Sequence, residues 1–206
     1  AYDHPIRVPR DMHAVERSRL LFARALGYRL PGALGEYGLD AAVPAAAGDL
    51  PRGLLFFHGT ARAEKQWPET HWIALATLAR EAGYRVWLPW GNDEERQRAQ
   101  RIAASGSNIE VLPRMNLRQI GGLLQRVEGA VAVDTGLGHL AAALAVPTVS
   151  LYGPTRTSLV GAYGRNQVHL QSPLVDGDIT DPATLMQAIT AAAAWQALAA
   201  AIGEAA

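Results

Sequence analysis

The segment Val133-Asp134-Thr135-Gly136-Leu137-Gly138-His139-Leu140 puts an acid, a hydroxyl, two glycines and a histidine where an apolar run gives way to a helix. A helix that begins there leaves the backbone N–H groups of its first turn unpaired, and together with the helix dipole they attract an anion such as a phosphate. Gly136 lets that anion approach the backbone closely. A carboxylate does not hold an anion, so Asp134 reads as an acceptor for sugar hydroxyls. His139, one turn into the helix, looks back at the same place. The plainer alternative is that Asp134 or Thr135 caps the helix and His139 is a satisfied core histidine. The glycine spacing is not that of a dinucleotide-binding Gly-x-Gly-x-x-Gly turn.

Three further segments carry chemistry. In His58-Gly59-Thr60-Ala61-Arg62-Ala63-Glu64-Lys65-Gln66-Trp67-Pro68, Thr60 offers a hydroxyl, Ala61 a backbone N–H, and Lys65 a compact charge able to neutralise a diphosphate. The competing reading is a solvated loop in which Lys65 pairs with Glu64. In Leu88-Pro89-Trp90-Gly91-Asn92-Asp93-Glu94-Glu95, Glu95 is either the second half of a capping box with Asn92 or a carboxylate accepting from both hydroxyls of a ribose. In Pro113-Arg114-Met115-Asn116, Met115 is either core filler or an apolar lid on a nucleobase, and Asn116 with Gln119 forms another capping pair.

Something must bring these segments together, and the periodicity says what. Met12–Gly27 repeats as an amphipathic helix, and residues 29–52 are Gly-, Pro- and Ala-rich as a linker would be. From Leu54 onward short apolar strands alternate with helices of about ten residues. The strands are expected at Leu54–His58, Tyr84–Pro89, Ile109–Leu112, Ala130–Asp134, Thr148–Tyr152 and Val168–Gln171. The helices are expected from Pro68 to Gly83, Asp93 to about Ala104, Leu117 to Arg126 and Gly138 to Ala145. A tail helix follows, capped by Asp181 with Pro182 in its first position. That alternation implies an α/β fold with a Rossmann-like parallel sheet and helices on both faces. In such a sheet ligands bind beyond the carboxyl ends of the strands. The segments after His58, Leu88, Leu112 and Val133 all fall there.

Composition narrows the chemistry. Nineteen basic and nineteen acidic side chains cancel, so no global field draws the chain to nucleic acid. The absence of cysteine excludes disulfides, thiolate metal sites and a thiol nucleophile. There is no His-Glu-x-x-His cluster, no Asp-x-Asp cluster stands beside the phosphate-binding segments to carry a divalent ion, and no cofactor is called for. The sequence shows no signal core, and its one long apolar stretch, Ala183–Ile202, is mostly alanine, which reads as cytosolic.

Taken in order, His58-Gly59-Thr60…Lys65-Gln66-Trp67-Pro68, Leu88-Pro89-Trp90-Gly91, Leu112-Pro113-Arg114-Met115 and Val133-Asp134-Thr135-Gly136-Leu137-Gly138-His139-Leu140 resemble the lipopolysaccharide heptosyltransferase family, type I in particular. His13-Ala14-Val15-Glu16-Arg17, Tyr152-Gly153-Pro154-Thr155 and Gly161-Ala162-Tyr163-Gly164-Arg165-Asn166-Gln167 fit the same family, so the likeness runs through nearly the whole chain. It implies a GT-B architecture of two facing Rossmann-like domains, of which residues 51–206 would be the C-terminal, donor-binding one. Residues 1–50 would be the last helix of the N-terminal domain plus the linker. The implied reaction is inverting transfer of L-glycero-D-manno-heptose from ADP-heptose to the Kdo of Kdo-lipid A, at the cytoplasmic face of the inner membrane. On the same resemblance, Thr60, Ala61, Lys65, Thr135, Gly136 and His139 would hold the diphosphate, with Lys65 also offsetting charge on departing ADP. Glu95 would take the ribose, Met115 the adenine and Asp134 the heptose. One departure is Ala61, where the family often has threonine and a side-chain hydrogen bond is lost. The general base is implied to be an aspartate of an N-terminal domain outside this sequence. Arg7, Arg10, Arg17 and Arg19 read either as a remnant of its basic surface or as a solvated helix face.

Other readings remain open on the sequence. They are heptosyltransferase II or III, another nucleotide-sugar transferase, a sugar epimerase of related architecture, and a non-catalytic nucleotide-binding module.

Overall fold

The computed structural model describes residues 3–39 and 52–203. The boundary expected between residues 50 and 51, and the latter part of the linker, lie outside the described residues. Helix α1 (Ala14–Leu26) is followed by β1 (Gly53–Phe57), α2 (Glu69–Glu81), β2 (Arg85–Leu88), α3 (Asp93–Ala103) and β3 (Ile109–Val111). Then come α4 (Leu117–Leu124), β4 (Gly129–Val133), α5 (Gly136–Ala143), β5 (Thr148–Tyr152), a short α6 (Thr157–Val160) and β6 (Gln167–Gln171). Helices α7 (Pro182–Gln187) and α8 (Ala191–Ala201) close the described chain.

All six strands are parallel and lie in the order β3-β2-β1-β4-β5-β6. The chain builds outward from β1 in one direction, then returns to place β4 on the other side of β1. The topological switch therefore falls between β1 and β4, where an open α/β sheet forms its ligand crevice. Strand alternation sends β1 side chains to both faces. Leu54 and Phe56 join a core with Trp67, Trp72, Leu75, Met186 and Leu198 under α2, α7 and α8. Leu55 and Phe57 join a second core with Trp87, Ile120, Leu124 and Ala141 under α4 and α5. A strand buried on both faces reads as a continuous apolar run, which is why Leu54–Phe57 carries no alternation.

Two local expectations need correction. The single tail helix is two helices, because Ile189 turns inward to the core and Thr190 caps α8 by accepting from the Ala193 N–H. The box at Asn92 is only half made: Asn92 accepts from the Glu95 N–H, but the Glu95 carboxylate accepts from Gly91 instead. Asn116 and Gln119 do form the reciprocal box. Among the arginines, Arg19 is tied to its own neighbours. It donates to Glu16 at 2.7 Å and to the carbonyl of Ala33 at 3.0 Å.

Candidate active site

The loops after β1 and β4 meet across the switch point. The Lys65 ammonium lies 2.5 Å from the Asp134 carboxylate, with the two side chains only 16% and 11% exposed. The Thr60 hydroxyl donates to the backbone carbonyl of Asp134 at 3.2 Å. The alternative pairing of Lys65 with Glu64 does not occur. Glu64 is taken by Arg62 at 2.5 Å. Asp134 is not a cap either. Thr135 occupies the N-cap position of α5, and its side chain makes no capping hydrogen bond. The amides that make an anion site are thus not capped by it.

The β1 loop owes its shape to buried anchors at both ends. Trp67 is fully buried, donates its indole N–H to the carbonyl of Ile189 at 2.8 Å and meets Trp72 edge to face at 4.9 Å. Arg98, on α3, donates to the Gln66 side chain at 2.8 Å and also to the carbonyl of Trp67. At the other end His58 is fully buried. Burial first, and then the positive charge of Arg98, push its pKa down to about 4, against opposing pulls from the Pro89 backbone and Glu69. It is a neutral structural histidine at ordinary pH.

Glu95 reaches the same edge from α3. Its carboxylate sits against Gly59, where an added Cβ would lie 2.6 Å from the carboxyl carbon. A side chain at this position would have to displace that carboxylate. Thr60, Gln66, Glu95, Arg98 and Gly59 contribute to a polar hollow of about 220 Å³. Lys65, Asp134 and His139 line an adjoining cleft of about 410 Å³. The pKa of His139 is lowered mainly by burial, with Asp134 opposing. Gly136 is exposed with open space above it. Ala61 is exposed in the turn below Thr60, whose hydroxyl accepts from the Arg62 N–H. Met115 is half-buried and packs on the second core. It therefore serves the core whatever else it touches.

The structure thus gathers Thr60, Lys65, Asp134 and His139 around the switch point and brings Glu95 to the same edge from the first turn of α3. Two contributors were not picked out as site residues from the sequence. Arg98 shapes the loop from below. His13 lines the far wall of the cleft, and its ring bonds to the Gly161 carbonyl at 2.9 Å. The signal for His13 was its place at the N-cap of α1, where it accepts from the Val15 N–H. Among the described residues no group of three or more His, Cys, Asp or Glu side chains is placed to hold a metal ion, and no helix is long and apolar enough to cross a membrane.

Comparison with known proteins bears on the family and the fold. The chain is 54% identical over 160 residues to lipopolysaccharide heptosyltransferase 1 of Pseudomonas aeruginosa, covering 78% of this chain and 45% of that protein. It superposes on E. coli heptosyltransferase WaaC with ADP at a TM-score of 0.85 and 37% identity, covering 97% of this chain and 60% of that one. WaaC with ADP-2-deoxy-2-fluoro heptose gives 0.79 at the same identity, covering 95% and 58%. The chain spans about half the length of the curated relatives it matches. The model of glycosyltransferase family 9 (heptosyltransferase) matches residues 1–180, and with relatives this similar the chain belongs to that family.

Proposed function

We propose that this chain is the donor-binding half of a GT-B lipopolysaccharide heptosyltransferase of type I, which takes ADP-heptose as donor and the Kdo of Kdo-lipid A as acceptor. The observation that carries the proposal is the convergence of Lys65, Asp134, Thr60 and the uncapped start of α5 at the β1/β4 switch point. The similar WaaC structures, with ADP and with a fluorinated ADP-heptose, support the nucleotide and the sugar.

In this reading the diphosphate lies over the first turn of α5, held by its amides with Thr135, Gly136 and His139, while Thr60, Ala61 N–H and Lys65 close on it from the β1 loop. Glu95 accepts from the ribose hydroxyls, Met115 borders the adenine, and Asp134 accepts from heptose hydroxyls. The acceptor hydroxyl attacks the anomeric carbon from the face opposite the departing group, and the bond to the ADP oxygen breaks with inversion. Lys65 and the helix amides offset the charge gathering on ADP as it leaves, so that no divalent ion is required. The acceptor proton goes to a general base. Asp134 is ill-suited to that task because in this reading its carboxylate is spent on the hydroxyls of the donor sugar rather than on the acceptor. The base belongs to a facing domain outside this sequence, which also meets the lipid acceptor at the inner face of the membrane.

The test is donor selectivity. Thermal unfolding of this chain should shift upward with ADP and ADP-heptose and stay put with UDP- and GDP-sugars at equal concentration. A larger shift with a uridine or guanosine donor would assign the site to another nucleotide-sugar transferase.

A further inference from the structure

The groups assigned to the phosphate end and the sugar end of the donor are in contact with each other. Lys65 Nζ and Asp134 Oδ2 stand 2.5 Å apart, both side chains mostly withdrawn from water. Charges so withdrawn need a partner of opposite sign. Yet a carboxylate this close to the ammonium opposes the arrival of a diphosphate at the same place. The two residues are also mounted differently. The Asp134 backbone is held at the end of β4, its carbonyl taken by the Thr60 hydroxyl, so its carboxylate moves only by rotation of its own short side chain. Lys65 ends a 3-10 turn and carries a long flexible stem. The neighbouring acid, Glu64, is occupied by Arg62 and does not compete.

We propose that this ion pair is a latch which the donor opens: the diphosphate takes Lys65, and the released Asp134 carboxylate becomes the acceptor for the sugar hydroxyls. This rests on the donor-site reading above. Phosphate and sugar recognition are then coupled through one contact. A complete donor breaks the pair and satisfies both halves. ADP alone breaks it and leaves the carboxylate without a partner beside the diphosphate. Once the sugar has been transferred, Asp134 recaptures Lys65 and weakens the hold on ADP, so the latch favours intact donor over product. A ligand shifts such an equilibrium only by its differential affinity for the two arrangements, which here is greater for ADP-heptose than for ADP.

Calorimetric titration of this chain with ADP, ADP-heptose and adenosine tests the latch, with thermal unfolding confirming that each variant folds. Asp134→Asn, which keeps the size and removes the charge, should bind ADP about tenfold more tightly than the parent, as expected for directly contacting groups. It should lose the preference for ADP-heptose over ADP and leave adenosine affinity unchanged. Asp134→Ala should behave alike. In a Lys65→Ala background the same substitution should tighten ADP far less, since only charge repulsion is relieved and there is no lysine to release. Unchanged ADP affinity in Asp134→Asn would overturn the latch, and so would equal tightening with and without Lys65, which is simple relief of charge repulsion. Failure of the parent to bind ADP at all would overturn the donor-site reading itself, and the latch with it.

Discussion

The β1 loop and helix α1 form opposite walls of the same cleft, and they are held in opposite ways. The loop is short and polar, but its ends are set in the core by Trp67 and His58, with Arg98 strapping it from α3. Helix α1 is long and amphipathic, yet Phe22 and Leu26 are 59% and 72% exposed, and only Ala23 is buried. What fastens α1 is a polar bracket centred on Tyr163. The Tyr163 hydroxyl donates to Glu16, accepts from the Gly35 N–H at 3.0 Å, and its ring lies 5.4 Å from that of His13. The turn beneath it is braced in turn, since the Ala162 N–H donates to Tyr152 and its carbonyl bonds His169. One wall is thus built into the domain and the other is mounted on it. If the β1 loop holds the phosphate end of a donor, as proposed, that end is rigid and the opposite side of the cleft is attached by hydrogen bonds.

That contrast can be broken most severely at Trp67. Trp67→Ala should cost about 3–5 kcal/mol in urea unfolding, as for other buried aromatics, and abolish ADP binding as the loop loses its anchor. Phe22→Ala on α1 should stay within about 0.5 kcal/mol, as for exposed positions. Comparable losses at the two positions would erase the distinction.

His58 gives the next largest effect. Its folded pKa, about 4, lies below its ordinary 6.5, so between those values the unfolded chain binds a proton that the folded chain does not. Stability is therefore complete above pH 6.5 and falls as the pH drops towards 4, by about 3 kcal/mol at one unit per 1.36 kcal/mol. Denaturant midpoints across that range should show the slope in the parent and a smaller one in His58→Gln.

A smaller effect is expected at the bracket. Tyr163→Phe removes the shared hydroxyl and should cost about 1 kcal/mol. Amides of α1 should exchange faster, while those of β1 and β4 keep their protection. Faster exchange throughout would mean that the bracket supports the whole domain.

Much of this was legible in the sequence, for reasons that differ by element. The six strands and the helices between them are marked by apolar runs, by Gly83 at positive φ after α2, and by the caps at Asn116 and Asp181. The tail was misread as one helix because alanine repeats carry no periodicity, so the inward turn at Ile189 leaves no trace there. At the candidate site, residue types and their place after strand ends single out Thr60, Lys65, Glu95, Asp134 and His139, which the fold brings to one sheet edge. Their partners were hidden, because Lys65 and Asp134 are 69 positions apart and His13 and Gly161 are 148 apart. Glu95 illustrates the limit. Its sequence neighbours suggest a cap, whereas the packed fold sets its carboxylate against Gly59 in the loop after β1.

The central claim is that the donor pocket is whole within this chain and that Lys65 holds its phosphate end. Calorimetric titration with ADP of the parent and of Lys65→Ala tests it most directly. The account predicts a single site in the parent and at least about tenfold weaker binding in the variant, a loss of about 1.4 kcal/mol. Equal affinity in the two proteins would contradict it.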